Sequence, residues 1–322
     1  MIKEYDKKSV GMEKPFTQLF LLGIMILLVI FLSIKSPYFL TWNNLRNILD
    51  HTSTQLIMAI GMTFVISSGG IDLSVGSIVA LTGICIGLML KGGVSVVLSS
   101  IIGVLIGGIL GAINGVIISK LKIAPFIVTI GSMSLFRGIS LVITEGMPIY
   151  GFPPQITYFG KGDLGKINPP IILGIFMAIL SVFLLKYTKW GQYSLALGGN
   201  EEALRRVGVS VNFYKTTIYI FSGLMAGLAG LIYISRLNAA EPNAGFMLES
   251  DIIAAVILGG TSMKGGKASI GGTVIACLLL GVVRNGLTLL SISSYYQQLF
   301  IGAIIIISVS ISEIRQRRQI QI

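Results

Sequence analysis

Few residues of this chain could carry out catalytic chemistry. It has a single histidine, His51, so a histidine-based zinc site or a Ser-His-Asp relay would lack its ligands or its base. The two cysteines, Cys85 and Cys277, both lie inside apolar runs and are expected to be packing residues. No nucleophile stands beside a plausible base, so an enzyme is not expected. The sequence predicts no catalytic residue and no metal site.

Asp72 is the most informative acidic residue, because it separates two apolar runs. Its carboxylate could accept the N–H of Ser74 or Val75 and cap a helix that begins there. Alternatively, a carboxylate inside a membrane could belong to a transport pathway or to ion coupling. The sequence leaves both roles open.

Two arginines, Arg137 and Arg284, lie within or near apolar runs. A guanidinium removed from water needs hydrogen-bond partners. We expect both to bond to backbone carbonyls rather than to a substrate.

Residues 160–166 (GKGDLGK) have the spacing of a nucleotide-binding glycine loop. Ile167 stands where the hydroxyl ligand of Mg²⁺ would have to be, and no buried strand precedes the loop. We therefore expect a glycine-rich turn there, and no ATP site in this chain.

The composition indicates the kind of protein in which these residues lie. Of 322 residues, 53% are hydrophobic and 11% are charged, and the mean hydropathy is +0.87. A water-soluble domain carries about 25% charged residues, so this is the composition of a membrane protein. The net charge of +11 does not indicate nucleic-acid binding, since the basic residues stand at the ends of apolar runs.

The apolar runs predict an all-α membrane protein, a polytopic bundle of about ten transmembrane helices with glycine-rich interruptions. Only the eighth span is too short for most of a hydrocarbon core of about 30 Å, and it could be re-entrant. We prefer a short complete span, thinned at residues 259–262. A complete eighth span makes the total even, which places the basic C-terminal tail on the same side of the membrane as the other basic segments. The predicted spans are 17–34, 52–70, 74–90, 94–118, 124–143, 169–186, 216–235, 250–263, 268–289 and 295–312.

Basic residues orient the bundle. With a cytoplasmic N-terminus, sixteen of the 24 Lys and Arg residues fall in inner segments and six in outer ones, and Arg137 and Arg284 make up the remainder. The positive-inside rule therefore predicts that both termini are cytoplasmic. The expected organisation is one permease domain, 1–322, with a cytoplasmic tail at 1–16, an inner loop at 187–215 and a second tail at 313–322.

Glycine is abundant, with 40 residues. Small residues let helix backbones approach in lipid, so we expect close helix packing at a ladder formed by Gly103, Gly107, Gly111 and Gly115, and at Gly223 and Gly227. Two glycine-rich clusters, 67–77 and 258–267, join consecutive spans. Such interruptions are typical of irregular backbone that lines a cavity or an interface.

The inner loop 187–215 carries a helix signal. Asn200 is a predicted N-cap, Glu201 and Glu202 complement the start of the helix, Arg205 and Arg206 complement its end, and Gly208 can close it. This helix could contact another protein, or it could be a solvated loop helix without a partner.

Six stretches in order along the chain resemble the permease subunit of bacterial ribose-type ABC importers: 61–66 (GMTFVI), 70–77 (GIDLSVGS), 196–201 (ALGGNE), 254–262 (AAVILGGTS), 285–287 (NGL) and 293–297 (SSYYQ). The resemblance runs from about Pro37 to the C-terminus. It implies a ten-span subunit that dimerises in the plasma membrane and receives sugar from an extracytoplasmic binding protein. A separate ABC ATPase would bind ATP and Mg²⁺ on the cytoplasmic face, and this chain would hold no cofactor.

The resemblance also implies that the loop helix is the coupling region that contacts the ATPase, through Asn200, Glu201, Glu202, Arg205, Arg206 and Gly208. A neutral monosaccharide, with ribose expected first, would suit a passage of glycine backbone and small polar side chains. We expect that passage to involve Thr63, Ser67, Ser68, Asp72, Asn114 and Asn285. The alternatives are a permease for another sugar, for AI-2 or for a nucleoside, and an ion-coupled secondary transporter that uses Asp72.

Overall fold

The computed structural model describes residues 15–293 together with residues 296, 299, 302 and 303. The described chain is mostly helical. Its helices are α1 (Pro15–Lys35), α2 (Trp42–Ser67), α3 (Val75–Lys91), α4 (Val96–Leu121), α5 (Pro125–Thr144), α6 (Tyr158–Lys161), α7 (Pro169–Tyr187), α8 (Lys189–Arg206), α9 (Val211–Leu237), α10 (Leu248–Leu258) and α11 (Ile270–Leu289). Two short strands, β1 (Ile149–Tyr150) and β2 (Ala239–Ala240), pair antiparallel, and a 3-10 helix covers Pro154–Thr157.

Six of the described helices, α1, α4, α5, α7, α9 and α11, are long and apolar enough to cross a membrane. The class predicted from the sequence, an all-α membrane protein, agrees with them, whereas the predicted count of ten spans is not confirmed. The second and third predicted spans correspond to α2 and to α3, a shorter apolar helix of 17 residues. Most of the tenth predicted span, 295–312, lies outside the described residues, as do the tail 313–322 and residues 1–14 of the other tail.

The helix found at the eighth predicted span, α10, is shorter than the predicted range 250–263. Helix α10 has 11 residues and is therefore about 16 Å long, roughly half of a hydrocarbon core. It ends at Leu258 because Gly259 caps it and Gly260 takes a φ of +97°, in the left-handed region that only glycine adopts readily. Non-helical backbone precedes α10 and follows it.

The centre of the bundle is formed by α2, α3, α4 and α9. Every residue of α2 from Leu56 to Ser67 is buried, which agrees with a helix surrounded on all sides. Phe64 of α2 packs against the rings of Trp190 and Phe221, at centroid distances of 4.8 and 5.1 Å. These aromatic contacts join α2 to α8 and α9.

Glycine brings α4 and α9 into backbone contact. A Cβ added at Gly107 would lie 2.9 Å from the Cα of Gly227, and one at Gly111 would lie 3.1 Å from the Cα of Gly223. At Gly115 it would lie 2.8 Å from the Cα of Thr216. Gly103, the fourth predicted member of the ladder, instead faces the Ile86 side chain of α3. Three of the four glycines thus serve one helix pair, at separations that leave no space for a side chain.

Replacing Gly111 with Ala should destabilise the protein by about 1–3 kcal/mol, because the new methyl group would overlap the Tyr219 main chain and force α4 from α9. Thermal unfolding of the detergent-solubilised protein measures this effect. Gly131→Ala on α5 is the matched control, since a Cβ there meets nothing within 4 Å. Equal melting temperatures for the two variants would contradict the packing described for α4 and α9.

Candidate functional site

Asp72 lies in the non-helical turn between α2 and α3 and is completely buried. One carboxylate oxygen accepts the Ser74 N–H at 3.0 Å and the Ser74 hydroxyl at 2.6 Å. The other accepts the Ser222 hydroxyl of α9 at 3.0 Å. The bond from the Ser74 N–H is the local one that the capping hypothesis requires, although the N-cap residue of α3 is Ser74 itself.

A wider polar network holds the same turn. Asn114 of α4 donates to the Ser74 hydroxyl at 2.8 Å and accepts from the Ser132 hydroxyl of α5. The Thr129 and Tyr219 hydroxyls both donate to the Ile71 carbonyl, at 3.2 and 3.4 Å. The turn between α2 and α3 is therefore bonded to α4, α5 and α9, which satisfies polar groups that the break in the helix would otherwise leave unpaired.

The other predicted pathway residues also bond within the chain. Thr63 donates to the Ala59 carbonyl and contacts the Thr273 hydroxyl of α11 at 3.2 Å. Ser67 and Ser68 each donate to a carbonyl three residues earlier in α2. Asn285 exchanges two amide hydrogen bonds with Asn44, at 2.8 and 3.0 Å. The structure does not gather these residues around one opening, and their pathway role stays a prediction.

Arg137 and Arg284 have different partners. Arg137 donates from Nη1 to the carbonyls of Pro242 and Ala244, at 2.5 and 2.8 Å, as expected from the sequence. Arg284 instead forms an ion pair of 2.6 Å with Asp251, so the expectation of carbonyl partners is wrong for this residue. Helix α10 folds back beside α11 and brings the two charges together, which residue order alone does not reveal. A small cavity between α2, α10 and α11 lies beside this pair.

The loop 187–215 is more helical than predicted, because α8 already begins at Lys189. Asn200 interrupts it with φ −160° and ψ 95°, and its side chain accepts the Ala203 N–H at 2.9 Å, which is an N-cap contact. At the far end Gly208 has a φ of +81°, and the Val209 N–H bonds to the Leu204 carbonyl at 3.1 Å. These bonds close the helix in the manner of a Schellman motif. The second half of α8 thus has the limits that its sequence predicts.

Glu201 and Glu202 form ion pairs of different kinds. Glu201 binds Arg205 at 2.9 Å and Lys215 at 2.6 Å, and Lys215 is the fifth residue of α9. Glu202 binds the more exposed Arg206, at 3.4 Å. Partial burial opposes ionisation of Glu201, but the hydrogen bonds and charges of Lys215 and Arg205 outweigh it and lower the pKa of its carboxyl. Glu201 therefore attaches α8 to α9.

A second contact joins α8 to both glycine-rich interruptions. The Gly266 N–H donates to the Ser67 carbonyl at 2.8 Å, so the loop after α10 bonds to the end of α2. Gly198 of α8 packs on this bond, and a Cβ there would overlap the Ser67 oxygen and lie 2.5 Å from the Gly266 nitrogen. We name Ser67, Gly198, Gly265 and Gly266 the glycine junction. Sequence analysis missed it, although a glycine pair just before an N-cap is the signal that could have indicated a close backbone approach.

Neither a metal nor a nucleotide site is evident in the part of the chain that the structure describes. No group of three or more His, Cys, Asp and Glu side chains there could hold a metal ion. The segment 160–166 ends α6 and forms a turn, in which Asp163 accepts the Lys166 N–H and Leu164 pairs with Ile167. Helix α7 begins only at Pro169, after the position of Ile167, whereas in a phosphate-binding loop the helix begins directly at the Gly-Lys pair.

The fold and these contacts define a multi-pass membrane protein whose polar groups maintain helix breaks. A family model described as the branched-chain amino acid transport system / permease component matches residues 44–309, so the chain belongs to this family and is a transport subunit rather than an enzyme. The ribose import permease protein RbsC of Bacillus subtilis (strain 168) is 46% identical over 297 residues, which cover 92% of this chain and 90% of that protein. RbsC of Escherichia coli (strain K12) is 42% identical over 92% of this chain and 93% of its own length.

A third relative, the D-allose transport system permease protein AlsC of Escherichia coli (strain K12), is 38% identical over 318 residues, covering 96% of this chain and 97% of its own. No solved structure matches the chain.

Gly198→Ala should separate α8 from the glycine junction, because the methyl group would occupy the position of the Ser67 oxygen. The Gly266 amide should then lose protection from hydrogen exchange by at least tenfold, a change of about 1.4 kcal/mol in local opening. Gly199→Ala is the matched control, since a Cβ at Gly199 meets nothing within 4 Å. Unchanged exchange at Gly266 in Gly198→Ala would refute the contact.

Glu201→Gln should lower stability at pH 7 by about 1 kcal/mol, whereas Glu202→Gln should change it by less than about 0.5 kcal/mol, because exposed ion pairs contribute little. Since the folded pKa of Glu201 is lowered, its contribution is present above the usual value of 4.5 and is lost as the pH falls through the lowered value. Melting temperatures of the wild type and Glu201→Gln should therefore converge in acid. A constant difference from pH 7 to pH 3 would contradict this account.

Proposed function

We propose that this chain is the transmembrane subunit of an ATP-driven importer that passes a neutral monosaccharide, ribose, from an extracytoplasmic binding protein to the cytoplasm. One observation carries the proposal: the ribose import permeases of two distant bacteria are 46% and 42% identical over 92% of the chain. This identity extends along nearly the whole length of this chain and of both relatives, which supports the same function for it.

The proposed arrangement is the one that the charge distribution favours. One permease domain crosses the plasma membrane ten times, with α10 and the residues before it acting together as the eighth span, and both termini lie in the cytoplasm. Two copies form a homodimer. Helix length supports a composite eighth span, because α10 alone covers only about 16 Å.

The ATPase partner, which would hold ATP and Mg²⁺, is proposed to contact the second half of α8. Several features of α8 support this role: a fixed N-cap at Asn200, the ion pairs of Glu201 and Glu202, the exposed Arg205 and Arg206, and a closed end at Gly208. An open cavity of about 520 Å³ beside this end is lined by Lys189, Tyr193, Val207, Gly208, Val209, Ser210, Phe213 and Tyr214. Phe213 and Val207 are largely exposed there, which is typical of a surface that another protein covers.

The ion-coupled alternative requires Asp72 to exchange a proton or cation. In the structure its carboxylate is buried and accepts three hydrogen bonds from neutral donors, the arrangement of a structural group. This favours ATP-driven import. Among sugars, allose is the second candidate, because a D-allose permease is 38% identical over 96% of the chain.

Uptake of labelled ribose into proteoliposomes tests the proposal. The vesicles would contain this chain with its cognate ATPase and internal ATP, and the binding protein would be outside. We expect uptake only when all three proteins and ATP are present, and competition by unlabelled ribose in preference to allose. Uptake by the chain alone that is abolished when the ion gradient is dissipated would show a secondary transporter. ATP hydrolysis by the full assembly without ribose uptake would show that ribose is not the substrate.

A further inference from the structure

Residues 241–247 connect β2 to α10 without forming a helix, and we name them the mid-span segment. Three successive turns shape it: the N–H groups of Ala244, Phe246 and Leu248 donate to the carbonyls three residues earlier, at 3.0–3.2 Å. Gly245 and Met247 have positive φ angles of 71° and 61°. The segment is therefore irregular but ordered backbone.

The position of Arg137 shows how deep the mid-span segment lies. Arg137 comes 12 residues after the start of α5, about 18 Å along a helix that is about 30 Å long. Its two hydrogen bonds to Pro242 and Ala244 hold the mid-span segment at that depth. On another side, Gly245 contacts the backbone of Gly76, where α3 begins in the interior of the bundle. Irregular backbone thus lies near the middle of the membrane thickness.

Several donors of the mid-span segment have no acceptor among the described residues. The N–H groups of Asn243, Gly245 and Met247 make no hydrogen bond there, nor does the Asn243 side chain. Asn243 is exposed, and the Phe246 side chain is 69% exposed. Non-helical backbone at membrane depth is stable only where protein buries it or water reaches it, since lipid offers no acceptors. The exposed face of this segment therefore requires a hydrogen-bonding occupant.

We propose that the mid-span segment is a sugar-contacting part of the translocation path, a role that rests on the function proposed above. The Asn243 amide both donates and accepts, as a sugar hydroxyl does, and the N–H groups of the exposed Asn243 and Met247 add further donors. The Phe246 ring offers a flat apolar surface for the C–H face of the same sugar, the combination of apolar and polar groups typical of small-molecule sites.

The charges around the segment favour a neutral occupant. Arg137 is the nearest cation, and its Nη1 is already bonded to two carbonyls. Glu249 lies beside Gly76, and Glu241 belongs to the segment itself, so an anion would meet carboxylates rather than a free cation. Arg137 is accordingly a positioning residue, which fixes the segment without contacting the sugar.

Thiol labelling tests whether water reaches the segment. Asn243→Cys in the complete assembly should react with a charged, water-soluble thiosulfonate, because the reactive thiolate forms only where water is present. Ile179→Cys, on an exposed apolar face of α7, is the control and should react at least tenfold more slowly. Equal, slow labelling at both positions would overturn the proposal, and it would do so whatever the transported molecule is.

Uptake measurements test contact with the sugar. Asn243→Ala and Phe246→Ala should each reduce ribose uptake by about tenfold, equivalent to about 1.4 kcal/mol, whereas Phe246→Tyr retains the ring and should keep most of it. ATP hydrolysis stimulated by the binding protein should stay within about twofold of wild type, which a folding or coupling defect would not allow. If wild-type protein transports ribose and all three variants match it, the segment makes no contact with the sugar. If wild-type protein transports no ribose, the proposed function fails while the labelling result stands.

Discussion

The whole structure depends on one constraint: inside a membrane, main-chain N–H and C=O groups must find partners within the protein. Helices meet it locally, and the described part of the chain is mostly helical. Where a helix is broken, side chains from other helices supply the missing bonds. Thr129 and Tyr219 bond to the carbonyl of Ile71 in the first break, and Arg137 bonds to Pro242 and Ala244 in another. Some buried polar side chains of this bundle thus bond to its breaks, while others, such as Thr82 and Ser140, bond to a carbonyl of their own helix.

The same constraint explains why much of the fold could be predicted from the sequence. A spanning helix must be apolar along its length, so its limits can be read from charge and hydropathy, as for α5, which begins at Pro125 and ends at Thr144. The cap at Asn200 was equally predictable, because it depends on residues within one turn. Local rules of this kind give the positions of helices but not their partners.

The rest depends on pairings between residues distant along the chain. Asp251 and Arg284 are both visible in the sequence, yet only the antiparallel packing of α10 and α11 makes them an ion pair. The bond between Gly266 and Ser67 joins residues on different interruptions, and the sequence of neither interruption predicts this pairing. The mid-span segment contains no motif that would indicate its depth, because that depth is set by the hydrogen bonds of Arg137 on another helix. Long-range geometry decided each of these cases.

The glycine junction has a mechanical consequence. Gly198 meets Ser67 and Gly266 through backbone atoms alone, so no side-chain torsion can rotate aside when the elements are compressed. A displacement of α8 toward the bundle is therefore transmitted directly to the end of α2 and to the loop before α11. No hydrogen bond joins Gly198 to either residue, so a displacement away from the bundle exerts no tension on them through this contact. The junction therefore transmits compression but not tension, and a displacement of α8 away from the bundle is opposed instead by other contacts, such as the ion pair of Glu201 with Lys215.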